Sequence, residues 1–230
     1  MSDDLIPGLI PGLILDLADL VERGKADRDS PHPPDLRGRD GAAEVARRAL
    51  DAGLPPDRIL REGLVVGMQR VGDRFGKGEA FIPEILISAR AMQAAMVHLE
   101  PLFASGAVER RGTIIIGTVA GDLHDIGKNI VRMVLEGDGW KVVDLGVDVG
   151  EEQFAEAVLA EPVDAVGLSA LLTTTMVHMG GIVDRLADVA PDVRVYVGGA
   201  PVTAEFAEKI DAHGWFPDPF TFSRHLAETA

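Results

Sequence analysis

A change in the spacing of apolar residues near position 113 constrains the fold of this chain more than any other feature. After this point four short runs rich in β-branched residues alternate with helical segments, at residues 113–118, 141–145, 164–169 and 193–197. Strands that alternate with helices at this spacing indicate right-handed βαβ units and a parallel sheet covered on both faces. The second half is therefore predicted to be a doubly wound, flavodoxin- or Rossmann-like α/β domain that binds ligands at the carboxyl ends of its strands.

Before this point the apolar residues repeat every three or four positions, as they do along one face of a helix. Two such sets are Leu60, Leu64, Met68, Val71 and Phe75, and Met92, Met96, Leu99 and Phe103. The pattern predicts a helical domain at residues 1–104, with a bundle of about four helices. We expect a linker at 105–111 and the α/β domain at 112–230. Residues 24–40 are charged and proline-rich, which predicts a mobile loop.

Composition excludes several classes of function. The 230 residues include 22 basic and 37 acidic side chains, and the net charge of −15 repels nucleic-acid phosphates and anionic membrane surfaces. We therefore expect neither nucleic acid nor a membrane as a partner. Because cysteine is absent, disulfides, thiolate nucleophiles, iron–sulfur clusters and Cys-based zinc sites are excluded. The apolar start at 5–14 follows two aspartates and contains prolines, which argues against a signal peptide, so we expect a cytoplasmic protein.

The loop after the first predicted strand holds the strongest candidate for chemistry, at residues 120–129. A histidine in such a loop can bind a metal through one ring nitrogen while a nearby carboxylate accepts the proton on the other. Asp122 and His124 fit this arrangement, and Gly127 would let a bulky planar ligand approach the backbone. The alternative is that His124 is a surface residue and that Asp122 or Asp125 only caps the helix. This loop alone leaves both interpretations open.

Two further loops at strand ends complete a recognisable pattern. Residues 169–175, with the sequence SALLTTT, follow the third run, and Gly198-Gly199-Ala200 follow the fourth. The combination Asp-x-His-x-x-Gly, Ser-x-Leu and Gly-Gly resembles the signature of the cobalamin-binding domains of methionine synthase, corrinoid methyl-carrier proteins and carbon-skeleton mutases. Residues 67–84 resemble the helical cap that precedes this domain in small corrinoid proteins of methanol, methylamine and methoxyaromatic methyltransferase systems. The resemblance covers about residues 42–210.

The resemblance implies a role for each matching residue. His124 would be the lower ligand of cobalt in a base-off/His-on corrinoid, Asp122 would hydrogen-bond to it, and Thr175 would complete the relay. The displaced nucleotide tail of the cofactor would run along the sheet. The cofactor-binding residues implied in this way are Gly121, Asp122, His124, Asp125, Ile126, Gly127, Ser169, Leu171, Thr173, Thr175, Gly198, Gly199 and Ala200. Taken singly, Ser169 could merely end a strand, Thr175 cap a helix and Gly198-Gly199 form a turn.

Other positions carry expectations with open alternatives. In the cap, residues over the upper cobalt face would be found among Met68, Val71, Phe75, Phe81 and Met92, although their helical spacing also fits a plain bundle core. The cap would have to open, with motion about the linker near 105–111. The chain departs from the family pattern at 212–219, where His213 puts the tail contacts in doubt and Trp215 could replace an aromatic residue beside the tail.

The function implied by the resemblance is that of a methyl carrier. The methyl group would travel on cobalt from a donor:corrinoid methyltransferase to a methyltransferase that uses tetrahydrofolate or a thiol as acceptor, and a reductive activator would be a further partner. The chain would then be a non-catalytic subunit of the methyltransferase system. Two rival functions are a cobalamin-dependent regulator or sensor and the cobalamin-binding subunit of a mutase. A regulator would need a basic recognition helix, which is not found before residue 41, and mutase subunits normally lack the helical cap.

Overall fold

The computed structural model describes residues 9–104 and 110–229 of the chain. They divide into two compact units. One holds the described residues up to 104 together with Gly137–Gly139, and the other begins at Arg110 and resumes at Trp140. Most of the linker expected at 105–111 lies outside the described residues. Within the described residues, no helix is both long and apolar enough to span a bilayer.

The first unit is helical. Its helices are α1 (Leu9–Glu22), α2 (Ala42–Asp51), α3 (Pro56–Arg58), α4 (Val65–Gly76) and α5 (Ile82–Ala104). A π-helical stretch at Ile59–Leu64 joins α3 to α4, so four long helical segments form the bundle. The core is apolar, as the helical spacing predicts, and includes Leu17, Val21, Leu64, Val71, Ile85, Met92 and Leu99. Helix α4 lies close to α1, because a Cβ at Gly67 would stand 2.6 Å from the carbonyl oxygen of Ala18.

The segment 24–40 forms hydrogen bonds and ion pairs of its own, while the mobility that its composition predicts stays a prediction. Lys25 is fully buried, and its Nζ donates a hydrogen bond of 2.8 Å to the carbonyl oxygen of Ser30. Arg28, near the start of the segment, forms an ion pair of 2.5 Å with Asp40 at its far end. The charged residues therefore bond within the segment instead of only facing solvent, which composition alone could not indicate.

The second unit is a parallel sheet flanked by helices. In chain order it contains β1 (Thr113–Thr118), α6 (Ile126–Gly137), β2 (Lys141–Asp144), α7 (Glu151–Ala160), β3 (Ala165–Ser169), α8 (His178–Val189), β4 (Arg194–Gly198), α9 (Ala204–Lys209), β5 (Gly214–Trp215) and α10 (Pro219–Thr229). The strand order is β2-β1-β3-β4-β5, and every pair is parallel. The predicted doubly wound sheet is thus confirmed, with an additional short strand, β5.

Both faces of the sheet are buried, which accounts for the continuous apolar runs of its strands. Ile115 packs on one face with side chains of α7 and α8, such as Phe154 and Met179. Ile114 and Ile116 pack on the other face with side chains of α6 and α10, such as Leu135 and Phe222.

The strand register brings three loops to one edge of the sheet. Thr118 at the end of β1 pairs with Ser169 at the end of β3, and Ser169 pairs with Gly198 at the end of β4. The loops that follow these residues therefore begin side by side, at the edge where doubly wound sheets bind ligands.

Candidate functional site

The centre of this edge is a hydrogen-bonded pair formed by Asp122 and His124. Asp122 is fully buried in the loop between β1 and α6. Its Oδ1 lies 2.7 Å from Nδ1 of His124 and also accepts a hydrogen bond of 3.0 Å from the backbone N–H of His124. Thr118 donates from its hydroxyl to the carbonyl oxygen of His124 at 2.9 Å. The side chain of the histidine is thus bonded to Asp122, and its backbone is bonded to Asp122 and to the end of β1.

The second oxygen of Asp122 is bound by the loop that follows β3. Oδ2 accepts hydrogen bonds from the Thr175 hydroxyl at 2.6 Å and from the backbone N–H groups of Leu171 and Leu172 at 2.8 and 3.3 Å. Burial by itself raises the pKa of Asp122, but the hydrogen bonds from Thr175, Leu171 and His124 outweigh it and hold that pKa well below its ordinary value. The carboxylate is therefore ionised at neutral pH despite its burial.

The geometry leaves one nitrogen of His124 available. An ionised carboxylate can only accept, so Nδ1 is the donor in this pair, and in the neutral imidazole the lone pair is then on Nε2. The side chain of His124 is 51% exposed although its partner is fully buried. The imidazole is therefore fixed at one end and open at the other, which is the arrangement of a metal-binding histidine.

The surroundings of His124 fit a corrinoid better than a protein-only metal site. Among the described residues there is no group of three or more His, Cys, Asp or Glu side chains that could hold a metal ion. A single imidazole suits a metal whose other ligands come from a macrocycle. The loops around His124 also expose large apolar side chains, namely Leu123, Ile126, Leu171, Leu172 and Val177. Such side chains suit the apolar underside of a planar cofactor.

Gly127 lies in the first turn of α6, because this helix begins at Ile126, within the segment 120–129 that was predicted to be a loop. A Cβ at Gly127 would meet no atom within 4 Å, so protein packing does not require a glycine there. Space beside the backbone is what a closely approaching ligand needs. The expectation that Gly127 admits the cofactor thus stays a prediction, and the open position supports it.

Gly199, which follows β4, has a role within the protein, whereas a Cβ at Gly198 would only make an ordinary contact of 3.8 Å with the carbonyl oxygen of Phe216. Gly199 has a φ of +124°, and a Cβ there would stand 1.9 Å from the carbonyl oxygen of Ala170. The loops after β3 and β4 therefore pass each other at backbone distance, which accounts for Gly199 without a ligand. Ser169 is half-buried at the end of β3, while Thr173 and Ala200 are exposed. Contact of these residues with a nucleotide tail stays a prediction.

The remaining sequence candidates divide between core and surface. Met68, Val71 and Met92 are buried in the helical unit, while Phe81 is exposed. Trp215 lies on β5 and packs against the apolar core beside the sheet.

His213 bonds to the edge of β4, since its Nδ1 accepts from the N–H of Val195 at 3.0 Å and its own N–H donates to the carbonyl oxygen of Val195 at 2.8 Å. The departure at 212–219 therefore includes a residue that helps to attach β5 to the sheet.

Several residues at this edge of the sheet were not predicted from the sequence. Lys128 is almost fully buried in α6, and its Nζ forms an ion pair of 2.5 Å with Asp144 at the end of β2. Leu172 adds a backbone donor to Asp122. Asp148, in the loop after β2, accepts a hydrogen bond of 2.7 Å from the N–H of Gly121. Periodicity did not single out any of these residues, and Lys128 shares its helix face with Arg132, which also approaches Asp144.

Comparisons with known proteins agree with this geometry. A family described as "B12 binding domain" matches residues 112–221, and a second family with the same description matches residues 38–100. A trimethylamine corrinoid protein of Methanosarcina mazei is 45% identical over 175 residues, which cover 74% of this chain and 80% of that protein. A corrinoid protein of Desulfitobacterium hafniense is 36% identical over 208 residues, which cover 88% of this chain and 92% of that protein.

Solved structures show the same architecture. A cobalamin-binding protein from Desulfitobacterium hafniense superposes with a TM-score of 0.74 at 28% identity, covering 96% of this chain and 98% of that one. A chain of the methanol:cobalamin methyltransferase complex from Methanosarcina barkeri gives a TM-score of 0.77 at 28% identity, covering 99% of this chain and 82% of that one. With a B12-binding fold over both units and an Asp–His pair at the ligand-binding edge of the sheet, this chain belongs to the family of corrinoid proteins.

Proposed function

We propose that this chain carries a methyl group on a bound corrinoid, between a methyltransferase that removes it from a donor and another that delivers it to tetrahydrofolate or a thiol. The observation that carries the proposal is the buried Asp122 paired with the half-exposed His124 at the carboxyl edge of the sheet. When bound, the corrinoid supplies a cobalt centre that can accept and release a methyl group. The chain itself supplies the site and no methyltransferase activity of its own.

His124 would hold the cofactor from below in the base-off/His-on state, through Nε2. Asp122 would hold the Nδ1 proton of the neutral imidazole, so that Nε2 is the nitrogen that would bind the metal. Thr175 and Leu171 keep the carboxylate ionised, because their hydrogen bonds favour the charged form. Two loops of the chain therefore cooperate in presenting one nitrogen.

The proton on Nδ1 gives the site a means of coupling to methyl transfer. If coordination by His124 strengthens and weakens during the cycle, the proton shared with Asp122 shifts with it. Asp122→Asn and Thr175→Ala should then change both the rate of methyl transfer to the corrinoid and the rate of methyl transfer from it. Unchanged rates in both variants would contradict the coupling.

The partners follow from the family. The relatives include proteins named for trimethylamine and dimethylamine and a chain of a methanol:cobalamin methyltransferase complex. These names favour a carrier over a sensor or a mutase subunit, and they make methylamines and methanol the first donors to test. We further propose a reductive activator as a partner, and motion of the helical unit about the linker near 105–111 to uncover the cofactor.

The decisive experiment is reconstitution with hydroxocobalamin, followed by the absorption spectrum of the complex. We expect one corrinoid per chain with the spectrum of imidazole coordination. His124→Ala should lose that spectrum, while His32→Ala, a substitution in the helical unit, should keep it. The loaded protein is then reduced and offered methyl donors with candidate methyltransferases. Failure of the unaltered protein to bind cobalamin would refute the proposal.

A further inference from the structure

Asp148 has an unusual backbone conformation close to His124. Its φ is +57°, in the left-handed region that non-glycine residues rarely adopt, and among the described residues only Asp211 shares this feature. Two residues earlier in the same loop, Gly146 adopts a φ of +87°. This conformation costs an ordinary residue free energy, so the contacts of Asp148 must compensate for it.

These contacts attach the loop after β2 to the peptide that precedes His124. The N–H of Gly121 donates to Oδ1 of Asp148 at 2.7 Å, and the N–H of Asp148 donates to the carbonyl oxygen of Asp122 at 3.0 Å. The next residue, Val149, donates its N–H to the carbonyl oxygen of Thr118 at 3.0 Å. The side chain of Asp148 thus accepts a hydrogen bond from Gly121, and its backbone N–H donates one to Asp122.

We propose that Asp148 is a positioning residue for the cobalt ligand. It fixes the backbone at Gly121 and Asp122, and Asp122 in turn fixes the imidazole ring, so the direction of Nε2 depends on a residue that acts through the backbone before His124. A glycine at 148 would adopt the same φ without strain but could not bind the N–H of Gly121. The inference rests on the proposed function, because it assumes that Nε2 meets cobalt.

Asp211 provides an internal control. Its φ is +55°, but it lies just after α9, where its N–H donates to the carbonyl oxygen of Glu208 at 3.2 Å. Left-handed residues are common at this position after a helix. Asp211→Gly therefore removes the same kind of backbone strain at a place without connection to His124.

The experiment compares three variants of the full chain loaded with hydroxocobalamin. Asp148→Gly keeps the backbone conformation and removes the acceptor, Asp148→Asn keeps an acceptor oxygen, and Asp211→Gly is the control. Absorption spectra give the ratio of imidazole-coordinated to uncoordinated bound corrinoid. We expect Asp148→Gly to lower this ratio about fivefold, the effect of one hydrogen bond. Asp148→Asn should stay within about twofold of the unaltered protein, and Asp211→Gly should match it.

Amide hydrogen exchange of the protein without corrinoid supplies a second readout. Exchange at Gly121 should accelerate in Asp148→Gly and return toward the original rate in Asp148→Asn. If Gly121 exchange accelerates while the coordination ratio stays unchanged, Asp148 is only structural and the inference is wrong. If the unaltered protein binds no corrinoid through an imidazole, the proposed function fails as well, and that failure is visible before any variant is made.

Discussion

Asp122 is a buried carboxylate that is held in the charged state by donors from two loops. The spacing of Asp122 and His124 made their hydrogen bond predictable, because the two residues lie in one loop. The role of Thr175 came only from the family resemblance. The N–H donors of Leu171 and Leu172 could not be predicted, since their direction depends on the backbone path of a loop that sequence patterns do not reveal.

The hydroxyl of Thr175 can be tested with two variants of similar size. Thr175→Val keeps the volume and removes the donor to Asp122, so we expect the free energy of unfolding of the corrinoid-free protein to fall by about 2 kcal/mol. Thr175→Ser keeps the hydroxyl and loses one methyl group, at a cost of about 1 kcal/mol. Urea unfolding followed by tryptophan fluorescence measures both. A larger loss in Thr175→Ser than in Thr175→Val would show that the methyl group matters more than the hydrogen bond.

The lowered pKa of Asp122 predicts a dependence of stability on pH. A carboxyl group whose pKa is lower in the folded state stabilises the protein above its ordinary value of 3.8, and this stabilisation disappears as the pH falls below that value. The difference in unfolding free energy between the unaltered protein and Asp122→Asn should therefore be constant at neutral pH and shrink below about pH 4. Unfolding curves between pH 7 and pH 2.5 measure it. Parallel profiles of the two proteins would contradict the assignment.

At the scale of elements, the strands whose two faces are buried were the easiest to predict. β1 and β3 appear as continuous apolar runs because helices cover both sides of the sheet. β5 has only two residues and leaves no recognisable run. The π-helical stretch at Ile59–Leu64 keeps the apolar spacing of a helix, so periodicity could not distinguish it from an α-helix. The early start of α6 was missed because the loop motif continues into the helix.

Two glycines at this edge should respond in opposite ways to alanine. Gly199→Ala places a Cβ against the carbonyl oxygen of Ala170 and a side chain at positive φ, so we expect it to lower the unfolding free energy by more than about 3 kcal/mol. Gly127→Ala lies in open space on a helix and should leave stability unchanged or raise it by up to about 1 kcal/mol.

Corrinoid binding then distinguishes a glycine that is needed for protein packing from one that is needed for the approach of a ligand. Because Gly127→Ala leaves the protein folded, a loss of hydroxocobalamin affinity in this variant reports the approach of the ligand to the backbone. Equilibrium titration by absorbance measures the affinity. Equal affinities of Gly127→Ala and the unaltered protein would place the cofactor away from this turn.

At the scale of the whole molecule, the division into a helical and an α/β unit was readable because the apolar period itself changes. The conformation of residues 24–40 could not be predicted from the sequence. Its ion pairs, such as Arg28 with Asp40, join residues that are distant in sequence, and composition only records that both charges are present. Composition therefore does not reveal which charges of such a segment pair with each other.

Because each unit has its own core, we expect corrinoid binding to stabilise mainly the unit that holds His124. At a free concentration of one hundred times its dissociation constant, a ligand that binds only the folded state adds about 2.7 kcal/mol. Scanning calorimetry should show one transition that rises with hydroxocobalamin and another that moves less. His124→Ala should reduce the rise. Equal shifts of both transitions would mean that the two units unfold together.

The hydrogen bonds that converge on Asp122 have a consequence for engineering this carrier. The loop after β3 supplies donors to Asp122, so under the proposed function a change of Thr175 would alter the electron-donating strength of the imidazole. A designer could then vary how strongly His124 would bind cobalt while leaving the histidine itself unchanged. Such a change would act on the cofactor through the hydrogen bonds of Asp122 and not by replacement of the histidine.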